Sequence, residues 1–425
     1  MGAEGVKWVT NNSSPTLTRY HGASGSNTLY SPANQAAATT YFNSLAPWGV
    51  MGRVSLRPDG SVASRCNVNT TPLQTGDNCY SDIDTTGSEM KMVYIPQFCY
   101  HVDQLTTNQI WYWVGAVGDT FRLSDNSGDY TFSSSDIHPA FISNTVAKSG
   151  VYVGAYEGYY NSGTTKLESR GGITTIADTQ PTALVSITNF RTYANNNGAG
   201  WGLMMYQAWC AAALLAIIEY GSLYLRSVLS YGISNITQNG SNNCSCNTGH
   251  TTTLGNASGQ VTFTSEGNGG ATQVTTYAMS YRGIENMWGN LFQFVDGINI
   301  RAGSDYHIFT ADNGTLSSTS SNGTTGAAFS APYADTSIVQ LSSGNNIEMF
   351  DYTQTLKWLF IGSTGGASAG QYTCAYQTIA ATSNVLLMGG DYGYAGAGTG
   401  PFVEKNFTYN GSSRNYGARL QYTPQ

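Results

Sequence analysis

The sequence predicts an α+β protein: a mixed, mainly antiparallel sheet with two helices and long loop insertions, preceded by a small β-rich N-terminal region. Three observations predict it. Strand-length apolar and aromatic runs recur at 92–100, 110–114, 151–159, 291–295 and 385–388, the lengths and residue types of strands. Two segments, 189–194 and 201–220, have helical composition. Long stretches of Gly, Ser, Thr and Asn at 232–274 and 303–347 read as polar insertions between core elements. The organisation expected is an N-terminal region over 1–85 and a larger domain over 86–425.

Composition narrows the functional classes. The 425 residues include only 18 Lys and Arg and 25 Asp and Glu, with 50 Gly and 29 Tyr. Low charge with abundant aromatics is the opposite of disorder, which needs high charge and few aromatics. A net charge of −7 offers no basic stripe for nucleic acid. Such a chain suits an extracellular or particle surface, where neutral groups do the hydrogen bonding. Seven cysteines over this length make no disulfide framework. Cys244-Ser245-Cys246 is too tight for a metal hairpin and has no Cys/His pair at finger spacing, so free or locally bridged thiols are expected, with no metal and no cofactor. The start, Met1-Gly2-Ala3-Glu4-Gly5, lacks the basic and apolar regions of a secretory signal.

In chain order, 36–45 reads as a short helix, and Pro58-Asp59-Gly60 between apolar runs reads as a hairpin turn. Pro96 inside 92–100 implies an edge strand or a bulge. His138 precedes Pro139 at a turn, and a structural histidine capping that turn is expected. The run 201–220 is long enough to span a membrane, but it contains Gln207 and Glu219 and lacks basic flanks. It is therefore expected as a buried core helix, apolar all round. After 283–297, the segment 298–301 continues the sheet, and 356–361 and 385–388 are the last core strands.

The stretch from Gly283 to Gly297, with Glu285-Asn286-Met287-Trp288-Gly289-Asn290 at its centre, is the organising element. Gly289-Asn290 signals a chain reversal, and Gly289 marks a position needing positive φ or lacking room for a Cβ. Leu291, Phe292, Phe294 and Val295 form a strand ended by Asp296-Gly297. A buried hairpin without activity of its own is the expectation here.

The C-terminal stretch 389–420 is dominated by Tyr, Asn, Ser and Gly. That is the alphabet of a binding face, in which Tyr gives rigid contact area and Ser, Gly and Asn give adaptable hydrogen bonds.

The 283–297 stretch resembles the signature of the C-type-lectin-like fold, in the version shared by formylglycine-generating enzymes and phage receptor-binding proteins. Segments 5–8 and 17–19 resemble the opening of phage tail-fibre proteins. Segment 92–100 is similar to a tail-protein strand, with Gln97 and Cys99 in place of a basic and an aromatic residue. Gly389-Gly390, the Tyr/Asn/Ser-rich face and the closing Gly417-Ala418-Arg419-Leu420 resemble the variable region of phage proteins diversified by retroelements. The resemblance implies receptor contact through Asp391, Tyr392, Tyr394, Phe402, Glu404, Asn406, Tyr409, Asn410, Ser412, Arg414, Asn415 and Tyr416. Arg419 is expected to anchor the loop through a backbone carbonyl or a carboxylate. The implied partners are a bacterial surface receptor, protein or glycan, and other phage tail proteins. The resemblance suggests a homotrimer; a surface-type composition without an export signal fits a virion component released by host lysis, and no membrane insertion is expected of the 201–220 run.

Three alternatives compete with a non-enzymatic receptor-binding protein. A glycan-degrading depolymerase would need two facing carboxylates, for which Glu157, Asp296 and Asp305 are available. Formylglycine chemistry lacks its cysteine pair, because only Cys374 follows the signature. A calcium lectin lacks its Glu-Pro-Asn and Trp-Asn-Asp triplets. A structural tail or baseplate component would use the same C-terminal face to pack on a neighbour.

Overall fold

All fifteen residues of the helix Tyr206–Tyr220 are buried. The expected apolar run divides: Trp201–Leu203 is a strand, because its backbone pairs with Leu420–Tyr422 before the helix begins. Gly221 closes the helix in the left-handed region at φ 58° and donates to the Ile217 carbonyl. Arg19 then reaches two further carbonyls of the last turn, at 3.2 Å from Ile218 O and 2.7 Å from Glu219 O. A cation is favoured at this negative end of the helix dipole. Glu219 is tolerated inside because Arg282 meets it with two hydrogen bonds of 2.7 Å. Among the described residues, no helix is long and apolar enough to cross a membrane.

The computed structural model describes residues 2–425 apart from 10–13, 15, 66–88, 107–108, 144, 172–182, 302–304, 309–344, 351–356, 359, 361, 368–375, 379–384, 394–398 and 408–410. The architecture is mixed α+β, mostly antiparallel sheet with few helices. One sheet runs Thr28–Tyr30, Thr18–His21, Glu4–Val9, Gln109–Gly115, Cys99–Thr106. A second runs Trp201–Leu203, Leu420–Tyr422, Gly150–Gly154, Met90–Pro96, Gly52–Leu56, Val62–Arg65. A third runs Gly362–Ala367, Asn345–Phe350, Tyr376–Thr378, Gly400–Phe407, Val385–Gly389, Phe292–Val295, Tyr416–Ala418. The expected division at 85/86 cuts through the first two sheets: Glu4–Val9 pairs with Gln109–Gly115, and Gly52–Leu56 pairs with Met90–Pro96. One apolar cluster likewise joins Ala3, Trp8 and Trp48 to Trp209, Trp288 and Phe402.

Turn chemistry fixes several local elements. The helix Gln35–Asn43 starts at Asn34, whose side chain accepts from Ala37 N at 2.9 Å. Gly52–Leu56 and Val62–Arg65 form the hairpin around Pro58-Asp59-Gly60. His138 caps a turn, accepting from Ala140 N, and burial pushes its imidazole down to about 3. Other expectations are corrected. Pro96 ends an interior strand, flanked by Gly150–Gly154 and Gly52–Leu56, instead of marking an edge. Ile298–Arg301 leaves the main sheet and pairs with Asp305–Ile308. Lys357 and Trp358 form a turn, with Trp358 and Phe360 packed in the core. Cys374 and most of 303–347 lie outside the described residues.

Candidate functional site

The signature is a buried platform. Its strand Phe292–Val295 does not fold back on Ile284–Glu285 as a hairpin; it pairs with Val385–Gly389 and, in parallel, with Tyr416–Ala418. Ile284–Glu285 instead pairs with Thr275–Tyr281. Gly289 has φ 81°, and a Cβ there would lie 2.7 Å from both Ile233 N and Ile233 O. Positive φ and lack of space therefore both require glycine.

Asn290 is the junction of this platform. Its backbone N donates to Ile233 O at 2.8 Å, and its O accepts from Tyr392 N at 2.9 Å. Its side chain donates to Glu157 at 2.6 Å and accepts from Cys246 N at 2.8 Å. Glu285 accepts from Gly249 N, Thr251 N and Thr251 Oγ1, each at 2.7 Å. These bonds fold the 230–251 segment against the signature, because a buried carboxylate or amide must find partners. The expected loop insertion is thus packed at 232–234 and 244–246, with 237–242 exposed between them. Its Cys244 and Cys246 are free and buried.

Arg419 lies beneath the same platform, fully buried. It donates to Gly154 O at 2.8 Å, Glu285 O at 2.7 Å, Asn286 O at 3.0 Å and Gln293 Oε1 at 2.9 Å. Burial pulls its guanidinium down to about 10, against the raising charges of Glu157 and Glu285. Burial also pushes the Glu157 carboxyl up to about 8, opposed by Arg419 and the Asn290 amide. Asp296 accepts Arg191 in a two-pronged pair at 2.7 and 2.9 Å. Glu157 and Asp296 are therefore buried structural carboxylates, and Asp305 begins a separate strand. Among the described residues, no group of three His, Cys, Asp or Glu side chains could hold a metal.

The twelve residues singled out for receptor contact do not share one environment. Asp391, Tyr392, Phe402, Asn415 and Tyr416 are buried. Tyr392 packs with Ile233, Ile236, Cys244 and Leu291. Tyr416 stands edge-on to Phe292, Phe294 and Phe407. Asn415 joins its amide to the Asp391 carboxylate, which also accepts from Gly393 N at 2.9 Å. In this conformation these five side chains support a surface and do not form it. Ser412 is exposed and Arg414 half-buried. Glu404 and Asn406 lie on the Gly400–Phe407 strand. Tyr394, Tyr409 and Asn410 lie outside the described residues.

The loop 411–416 has a neighbour that sequence reasoning set aside. Arg414 donates to the Gly240 carbonyl and to the Gln238 side chain. Ile236 N donates to Tyr392 O at 2.8 Å, and Ser413 O accepts from Leu184 N at 3.0 Å. Thr237, Gln238, Asn239, Gly240, Ser241 and Asn242 are all exposed. The signal was present, since this stretch uses the same Asn/Gly/Ser alphabet as the C-terminal loop.

No family model matches the chain, and no curated protein matches it. Among solved structures, it is similar to the Major Tropism Determinant U1 variant, with 14% identity over 88% of this chain and 72% of that one, at a TM-score of 0.28. The M1 variant matches at 12% identity over 88% and 71% of the two chains, with a TM-score of 0.27. The P3c variant matches at 11% identity over 96% and 81%, also at 0.27. Scores of this size do not equate the folds.

Proposed function

We propose that this chain is a receptor-binding protein of a phage tail, built on a C-type-lectin-like domain. It recognises a bacterial surface molecule through the face formed by the 411–416 loop. One observation carries the reading. The exposed Ser412 and the half-buried Arg414 lie in a loop followed by the buried Asn415, Tyr416 and Arg419, with the Asn415 amide joined to the buried Asp391 carboxylate. A polar loop on a rigid scaffold is how binding proteins hold adaptable contacts at low entropic cost. The resemblance of 283–297 and 417–420 to diversified phage proteins supports the same reading.

Recognition is non-covalent in this proposal. Glu157 and Asp296, two of the carboxylates a depolymerase would recruit, are each committed to internal partners. Several copies per virion, arranged as a homotrimer joined to other tail proteins, would raise weak single-site affinity by about 10² to 10⁴.

The test is adsorption of purified protein to host cells. Ser412→Trp and Arg414→Ala are expected to abolish adsorption while the melting temperature stays near that of the parent. Undiminished adsorption by both folded variants would remove the loop from the receptor site.

A further inference from the structure

We propose that the segment from Tyr231 to Asn242 forms a second half of the recognition face, and that it takes a neutral, polyhydroxylated glycan. The inference rests on the receptor-binding reading of the neighbouring loop and names the chemistry of its ligand.

Three asparagines in the segment point their amide nitrogens inward. Asn235 donates to Thr275 O at 2.8 Å; Asn239 donates to Gly269 O and Gly270 O, both at 3.0 Å; Asn242 donates to Gly269 O at 3.0 Å. All three residues are exposed, and their side-chain oxygens have no partner among the described residues. Each asparagine is therefore a fixed acceptor, held by its own nitrogen. Gln238 is arranged the opposite way: Arg414 occupies its oxygen, leaving its amide nitrogen as a donor. Thr237 and Ser241 add exposed hydroxyls to the same segment.

A hydroxyl both donates and accepts, so a sugar ring matches this mixture without a change of protonation or of charge. No residue from 235 to 242 carries a formal charge, and the Arg414 guanidinium beside them is already engaged. An anionic group reaching for the Arg414 charge would have to displace its bonds to Gly240 O and Gln238 Oε1.

Tyr231 adds an apolar plane. It is 49% exposed. The Arg226 guanidinium lies over its ring, 4.7 Å from the centroid, and Thr399 Oγ1 donates to its backbone oxygen at 3.3 Å. The Arg226 guanidinium thus covers one ring face, while about half of the residue remains exposed. An aromatic face held in this way receives the C–H side of a sugar while the asparagine oxygens receive its hydroxyls. Because the acceptors are already ordered, little rotamer freedom is lost on binding.

The experiment compares adsorption of the full chain to host cells treated with periodate, which cleaves vicinal diols, and to cells treated with proteinase. Retention on immobilised neutral oligosaccharides is measured in parallel. Periodate is expected to abolish adsorption and proteinase to spare it. Tyr231→Ala is expected to weaken both cell adsorption and retention about tenfold or more, with Tyr231→Phe retaining both. Melting temperatures of the variants exclude unfolding as the cause. Adsorption lost to proteinase and kept after periodate overturns the glycan and leaves the receptor-binding reading standing. Adsorption indifferent to Tyr231→Ala but abolished by Ser412→Trp removes this segment from the face and keeps the loop. If the parent protein adsorbs to no host, it is the receptor reading itself that fails.

Discussion

Arg419 donates from Nη2 to the backbone oxygen of Glu285 at 2.7 Å, fastening the end of the chain to the centre of the signature. Nη2 also donates to Asn286 O, while Nη1 and Nε reach Gly154 O and Gln293 Oε1, so one guanidinium joins three separate parts of the sequence. Lysine keeps the charge but loses the planar fork and cannot reach all four oxygens. Arg419→Lys is expected to destabilise the fold by about 3–5 kcal/mol, the range for breaking a buried charged network. Chemical denaturation would measure it, and a loss below about 1 kcal/mol would show that the network is dispensable.

Glu157 makes stability depend on pH. In the unfolded chain its carboxyl titrates near 4.5, and in the folded chain burial raises it to about 8. Between those values the folded state binds the extra proton. The stabilisation is therefore complete below 4.5 and is lost as pH rises through about 8, by up to about 1.4 kcal/mol per pH unit. The groups facing it are Arg419, Glu285, Asn290 and Leu291 N. Urea midpoints across this window should fall more steeply for the parent than for Glu157→Gln, whatever the variant's absolute stability. Parallel slopes would mean that Glu157 is charged in the fold.

Gly289 tests the link between signature and surface. Alanine there meets left-handed strain and a backbone contact at 2.7 Å from Ile233. Gly289→Ala is expected to destabilise by about 3 kcal/mol or more. The Asn290 to Ile233 hydrogen bond would open with it, so protection from hydrogen exchange should fall in 231–242 before it falls in the Tyr206–Tyr220 helix. Uniform loss of protection would refute the link.

Much of this organisation was legible where the signal is local. The buried helix could be read because its residues are apolar on every side, and the hairpin at Pro58-Asp59-Gly60 because turn chemistry is short-range. The need for glycine at 289 could be read, but its reason, the backbone of Ile233, lies 56 positions away and leaves no trace in the motif. The same holds for Arg53, whose Nε donates to Gly283 O at 3.0 Å, and for strand order in sheets that mix early and late segments. At the C-terminus the alphabet itself misleads. Tyr, Asn and Ser serve a contact surface, but they also satisfy each other inside a polar core, as Asn415 and Asp391 do. Composition cannot separate those uses.

That ambiguity has a direct test in the tyrosines. Tyr392 is 0% exposed and Tyr416 3%, each packed among apolar or aromatic neighbours. Replacing either by Ala removes a ring from a packed site, with an expected loss of about 3–5 kcal/mol. Ser412 is exposed, and Ser412→Ala should change stability by no more than about 0.5 kcal/mol. If the buried tyrosines only support the face, Tyr392→Ala and Tyr416→Ala will lose host adsorption in proportion to their loss of folded protein. Adsorption per folded molecule, corrected by a thermal melt, should then remain near that of the parent. A fully folded Tyr392→Ala protein that no longer adsorbs would instead mean that the ring turns outward when the receptor binds.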